Sequence, residues 1–145
     1  MTLFSSNFEL TEKYLNKTFD ACNNMYFDNS LIKIPVIIID DPDVNGYFKF
    51  DIDFENRILK NPRIEISKNH KRPYEAIEKT MLHEMTHYKV FLELTSSDIS
   101  AAFDAYNSKN MDLFNKILYL KNYAHQNKWN FYIDAINNKY KLNIK

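Results

Sequence analysis

His83-Glu84-Met85-Thr86-His87 constrains its neighbourhood more tightly than any other pattern in the 145 residues of this chain. Histidines four apart share a face only on a helix, where one turn of about 6 Å separates them and both imidazoles can reach a single Zn²⁺. The glutamate between them then points toward the coordination position that the protein ligands leave open. Water held there can lose its proton to the carboxylate as its oxygen attacks a carbonyl, which is the chemistry of a zinc hydrolase. With 4 His in the chain, a shuffled sequence would carry the pentad roughly once in 200 trials, so coincidence in a metal-free helical protein is the weakest explanation. Two surface histidines on an ordinary amphipathic helix are the plain alternative.

The flanks favour a helix independently of the histidines. Pro73 suits a first helical position, and Glu75 and Glu78 suit the positive end of the helix dipole. Ile77, Met81, Met85, Tyr88 and Leu92 then recur at helical spacing as a core-facing stripe. His83 and His87 fall beside that stripe, so both are expected to be partly sheltered.

The residues before this segment read as a helix and three strands. Ser6 with Glu9 forms a capping box, and Leu15, Phe19, Cys22 and Tyr26 carry a helical stripe to about Phe27, followed by a turn at Asp28-Asn29-Ser30. Ile34 to Ile39 is short and β-branched, with Pro35 at its start. Gly46 to Phe54 alternates apolar and polar residues from Phe48 onward, Glu55-Asn56-Arg57 can turn the chain back, and Arg63 to Ser67 alternates again with Ile64 and Ile66 inward. The second half is helical, with turn signals at Thr95-Ser96-Ser97, near Asn107 to Asn110 and around His125 to Asn127. The expectation is an α+β fold: a small, mainly antiparallel sheet, an N-terminal helix, the pentad helix, and a helical C-terminal half.

At this length, one domain over residues 1–145 can bury about two-thirds of its unfolded surface. With 11 Phe, 10 Tyr and 1 Trp, core volume is plentiful. Gly46 is the only glycine, so Asn is expected to take left-handed turn positions. Lys and Arg balance Asp and Glu at 19 each, and no basic run exceeds two residues, which predicts no electrostatic footprint for nucleic acid or an anionic membrane. Met1 to Ser6 has neither a basic nor an apolar leader region, and no stretch approaches the roughly 20 apolar residues of a membrane span, so a soluble, cytoplasmic protein is expected. Cys22 is alone and excludes a disulfide framework or a cysteine zinc ribbon.

Catalytic zinc usually takes three protein ligands. His125, between the helical pattern ending at Ala124 and the one carried by Trp129, Ile133, Ile136 and Tyr140, is the leading candidate for the third. Asp98 and Asp104 compete for the role. Glu93, six residues past His87, points about 240° around the helix, and His70 sits in a Lys/Arg/Asn-rich turn where solvation is expected. Tyr88, Tyr119, Tyr123 and Tyr132 lie near the candidate segments, mostly as core residues. From Thr95 to Ala124, Ile99, Ala102, Phe103 and Tyr106, then Phe114, Ile117, Leu118 and Lys121, give two short amphipathic helices. They could form a lid at the rim of the zinc cleft or an extension of the core.

Four segments together resemble the SprT-like zinc metallopeptidases. Tyr26-Phe27-Asp28-Asn29-Ser30-Leu31 is similar to the family's turn after its first helix, and Gly46-Tyr47-Phe48 to its glycine-bearing second strand. Thr80 to Tyr88 is very similar to the active helix, and His125 followed by Trp129 resembles the downstream histidine segment. The resemblance implies a zincin-like fold, Zn²⁺ held by His83, His87 and His125, and Glu84 as general base. The chain departs from the family pattern in the 37 residues between His87 and His125, in Gln126 where glycine is common, and in lacking the cysteine ribbon. Some members act on proteins crosslinked to DNA, a role that the neutral charge does not favour.

The resulting expectation is a zinc-dependent endopeptidase acting on protein or peptide substrates. An edge strand, Arg63 to Ser67 or Gly46 to Phe50, would hold an extended substrate by strand addition. A catalytically inactive, zinc-stabilised binding or regulatory module is the alternative.

Overall fold

Thr11 opens the first helix. The computed structural model describes residues 10–68, 73–118 and 123–145, the side chains of residues 123–127 excepted. Thr11 is extended (φ −126°, ψ 159°), and its Oγ1 accepts from the Tyr14 N–H at 3.0 Å, satisfying one of the free amides of α1 (Glu12–Phe27). The capping box expected at Ser6 and Glu9 lies outside the described residues, and the extended backbone at Thr11 is where α1 begins. Leu15, Phe19, Cys22 and Phe27 are buried along one face, whereas the half-buried Tyr26 donates its hydroxyl to Glu78 Oε1 at 2.9 Å. The helix ends where Asp28 and Asn29 both turn left-handed, at φ 53° and 58°. Asn23 pins the turn that follows, its Nδ2 donating to Leu31 O at 2.9 Å and its Oδ1 accepting from Leu31 N–H at 3.2 Å. Because Asn23 is buried, both of its polar ends need such partners.

Three strands follow: β1 (Val36–Ile39), β2 (Gly46–Asp53) and β3 (Ile58–Ser67), in the order β1-β3-β2. β1 lies parallel to β3, Val36 opposite Ile64 and Ile39 opposite Ser67, while β2 returns through the 54–57 turn onto the other side of β3. The sheet is therefore mixed. Arg63 to Ser67 was one of two candidate edges, and the structure corrects that: β3 is central, with both sides paired. β1 is an edge, and α1 covers it. Asn16 Nδ2 donates to Val36 O at 3.1 Å, and Glu12 Oε2 accepts from Ile38 N–H at 3.2 Å, so two backbone groups on the outer side of β1 are satisfied by side chains.

Four helices follow among the described residues: α2 (Tyr74–Leu92), α3 (Ser96–Asn107), α4 (Met111–Leu118) and α5 (Tyr123–Tyr140). With α1 and the mixed sheet, the described residues form an α+β fold. No helix among them is long and apolar enough to cross a membrane.

The chain forms two compact units, one of Met1–Lys49, Pro62–Met85 and Ile144–Lys145, the other of Phe50–Asn61 and Thr86–Asn143. In the first, Leu15, Phe19, Leu31, Ile34, Val36, Ile64, Ile66, Ile77, Met81 and Leu82 are buried. In the second, Ala102, Ala105, Phe114, Ile117 and Leu118 of α3 and α4 form a cluster against Phe50, Ile52 and Leu59 of the strand ends. The apolar faces expected on the two helices after Thr95 thus cover the tip of the β2–β3 hairpin. Thr95 caps α3 in a full capping box with Asp98. Among the described residues, six non-glycine residues have positive φ: Asn29 and Asn61, and with them Asp28, Arg57, Lys109 and Lys141. Asn therefore takes only part of the left-handed role expected of it.

Gly46, the first residue of β2, is not left-handed. A Cβ there would stand 2.8 Å from Glu65 O and 3.1 Å from Thr80 Cγ2, so glycine is required by close approach rather than by backbone conformation.

Candidate metal centre

Pro73 O accepts from the amides of Ala76 and Ile77, at 3.1 and 3.2 Å, and so starts α2 where proline suits a helix best. Ile77, Met81, Met85 and Tyr88 are all fully buried, as the spacing predicts, and Leu82, Thr86 and Val90 are buried beside them. Leu92, expected to extend the stripe, is 41% exposed at the helix end.

The pentad lies in the middle of α2. The boundary between the two units falls inside it, after Met85, so its geometry is that of the helix itself. His83 and His87 are half-buried and Glu84 is buried. One donor atom of each, an imidazole nitrogen or a carboxylate oxygen, lies within 4.8 Å of the others. Two nitrogens on a common Zn²⁺ at about 2.1 Å each stand no more than about 4.2 Å apart, a spacing of the same order as that of this group. The donor set fits the metal.

Each of the three has a partner that fixes it. His83 Nδ1 lies 2.7 Å from the main-chain oxygen of Lys145. Burial pushes the His83 proton affinity down and so favours the neutral imidazole a metal requires, against the opposing pull of that contact. Burial pushes the Glu84 carboxyl up to about 7, against the opposing pull of a hydrogen bond from the Phe48 backbone of β2. His87 stacks on Trp129 of α5, with centroids 5.3 Å apart and planes 26° apart.

Among the described residues, His83, Glu84 and His87 form the group able to hold a metal. The competing carboxylates are not part of it. Asp98 accepts from the Thr95 amide at 2.9 Å in the α3 cap, and Asp104 pairs with Arg57 at 2.8 Å. Glu93 accepts a short hydrogen bond from the Tyr132 hydroxyl and faces Lys128 at 3.8 Å. Tyr88 is core, as expected. His70, Tyr119 and the side chains of Tyr123 and His125 lie outside the described residues. Position 125 itself is in the first turn of α5, one turn before Trp129, where a chain turn had been expected.

Sequence reasoning missed the partners of the pentad. Phe48 and Lys145 act through backbone atoms, which no residue pattern announces. Trp129 could have been found, because an aromatic four residues after a candidate ligand shares its helix face. Comparison of the chain with protein-family models, curated proteins and solved structures returned no match.

Proposed function

We propose that the chain is a Zn²⁺-dependent peptidase of SprT-like type that hydrolyses peptide bonds in protein substrates. The observation that carries this reading is the Glu84 carboxylate, buried and lifted to about 7, with two metal-competent histidines within 4.8 Å of it on the same helix. His83 and His87 would hold the ion, with His125 as third ligand. Support for His125 comes from α5, which already brings Trp129 against His87 and carries position 125 one turn earlier. A Zn²⁺ bound there supplies a Lewis acid that polarises the scissile carbonyl and acidifies water.

The protein's own part of the reaction is proton movement and shelter. Glu84 in its ionised form accepts the proton of the attacking water and returns it to the departing amine, which neutralises the leaving group as the C–N bond breaks. Burial raises the proton affinity of the carboxylate above that of an exposed one, which makes it the stronger base. The Phe48 backbone holds that carboxylate in place, and the Trp129 ring covers one face of His87. β2 is an edge strand whose Phe48 backbone meets Glu84, so an extended substrate could add to it. What supports the family reading is placement: the 26–31 turn follows α1, Gly46 opens the second strand, and the pentad is internal to α2.

The burial of Glu84, 7% exposed, favours a second reading, a zinc-stabilised binding or regulatory module without turnover. A panel of unfolded protein substrates separates the two. Wild type should cleave and a chelator should stop it, while Glu84→Gln should keep zinc and lose about 10²–10⁴-fold in rate. Equal behaviour of wild type and Glu84→Gln across the panel would leave the binding module as the better description.

A further inference from the structure

Asn45 stands immediately before β2, exposed and in a bend, and the residue after it is Gly46, the only glycine of the chain. The Asn45 main-chain oxygen accepts from the Ser67 amide of β3 at 3.0 Å. The described residues contain no cis peptide, and a trans peptide points its C=O and the following N–H in opposite directions, so the Gly46 N–H is directed away from β3. β2 is an edge of the sheet, and among the described residues no strand lies on that side. A Cβ at position 46 would stand 2.8 Å from Glu65 O, so the fold itself requires glycine after Asn45.

We propose that Asn45 is a site of spontaneous deamidation in the folded protein, its side-chain amide displaced by the Gly46 nitrogen to leave aspartate and isoaspartate at the entry to β2. Hydroxide takes the Gly46 amide proton, the nitrogen bonds to Asn45 Cγ, and the Cγ–Nδ2 bond breaks as ammonia leaves with a proton from water, which closes a five-membered imide. Water then opens the imide at either carbonyl. Attack at Cγ restores the original main chain with an aspartate, and attack at the main-chain carbon leaves the chain running through the side chain. The sum is asparagine and water giving an acid and ammonia, with nothing oxidised or reduced. A side chain on the following residue shields its nitrogen from Cγ, which makes every other asparagine of the chain a poorer candidate, and here crowding against Glu65 O excludes that side chain. The Gly46 proton points away from the β3 ladder, on the side from which hydroxide can approach. Ring closure must turn the 45–46 peptide and break the Ser67 bond, an opening at the start of an edge strand that costs less than unfolding the whole domain. Each product adds one negative charge to a chain whose formal charge is zero. Isoaspartate also lengthens the main chain three residues before Phe48, whose backbone hydrogen bond holds Glu84. The proposal does not rest on the metal reading.

The test is to age the full chain at mildly alkaline pH, folded in buffer and unfolded in guanidinium chloride, and to follow the asparagines by peptide mapping with mass spectrometry. Asn29 and Asn107, both exposed and each followed by serine, are internal controls. In the folded protein Asn45 is expected to be modified first, with aspartate and isoaspartate both present, a more acidic species on isoelectric focusing and a rate that rises with pH. The folded rate should stand well above roughly 10⁻³ of the unfolded rate, the largest share that rare global unfolding supplies. Asn45→Gln, whose closure needs a six-membered ring, should remove the acidic species. An Asn45 modified in the unfolded chain but intact in the folded one, or a folded rate at or below that share, overturns the proposal. Earlier loss at Asn29 or Asn107 does the same, as does persistence of the acidic species in Asn45→Gln.

Discussion

Trp129 lies flat against His87, the ring centroids 5.3 Å apart and the planes at 26°. The indole, 8% exposed, comes from α5, whose first turn also carries position 125, and on the proposed zinc reading this contact supports α5 as the source of the third ligand. His83→Ala, His87→Ala and His125→Ala are each expected to lower zinc content sharply and to lower the melting temperature. Ligand that binds only the folded state stabilises it, by about 2.7 kcal/mol at a hundredfold excess over Kd. His70→Ala should change neither quantity. Metal analysis by mass spectrometry on protein purified without added zinc reads all four, and full zinc retention by His125→Ala would remove His125 from the ligand set.

The Glu84 carboxyl gives a pH signature of its own. Its folded-state value, lifted by burial to about 7 from the ordinary 4.5, means that between those values the folded protein holds a proton the unfolded chain has released. Stability of the metal-free protein should therefore be unaffected by this group below pH 4.5, fall as pH rises toward 7, and level off above it. The size of the fall attributable to Glu84 is about 3 kcal/mol. Glu84→Gln cannot ionise and should lack it, so urea titrations of the two metal-free proteins from pH 4.5 to 8 should diverge, the variant being the more stable at the alkaline end. In the zinc-loaded wild type the same group predicts an acid limb in kcat/KM, because only the ionised carboxylate is a base.

How far the sequence reached can be judged residue by residue. Ile77, Met81, Met85 and Tyr88 were legible because a helix buried along one face writes its period into the chain, and so was the 26–31 turn, where Asp28 and Asn29 adopt the conformation their side chains tolerate. The place of β3 was not. Strand order is decided by pairing between distant segments, and Glu65 and Ser67 alternate with Ile64 and Ile66 as if facing solvent. Both are in fact buried, because Lys49 and Arg63 pair with Glu65 and the Ser67 hydroxyl donates to Asp41 O at 2.6 Å. At the candidate site the three pentad side chains were legible and their supports were not, since Phe48 and Lys145 contribute main-chain atoms that every residue type possesses.

Gly46 offers a test of packing next to the pentad helix. Because its backbone is not left-handed, alanine pays no conformational penalty there, and the whole cost is the Cβ at 2.8 Å from Glu65 O and 3.1 Å from Thr80 Cγ2. Gly46→Ala should lose about 1–3 kcal/mol as β2 shifts away from β3 and α2. The loss should appear in chemical denaturation as a lower midpoint with unchanged slope. A neutral substitution would mean that β2 moves freely at this point, and with it the Phe48 backbone that holds Glu84.

Phe114 decides what the segment after Thr95 is for. Its ring is buried in the α3–α4 cluster and lies 6.0 Å from Phe54 at the hairpin turn, whereas its neighbour Leu113 is 40% exposed. If α3 and α4 are core, Phe114→Ala should cost about 3–5 kcal/mol, the usual range for emptying a buried aromatic site. Leu113→Ala, which opens no cavity, should cost less than about 1 kcal/mol. A lid behaves differently, since loosening it leaves global stability nearly intact while speeding entry of bulky substrates. Denaturation midpoints and cleavage rates measured on the same two variants separate these cases. The packing of Phe114, Ile117 and Leu118 on Phe50, Ile52 and Leu59 predicts the large stability loss, and a Phe114→Ala protein with a wild-type midpoint and faster turnover would establish the lid instead.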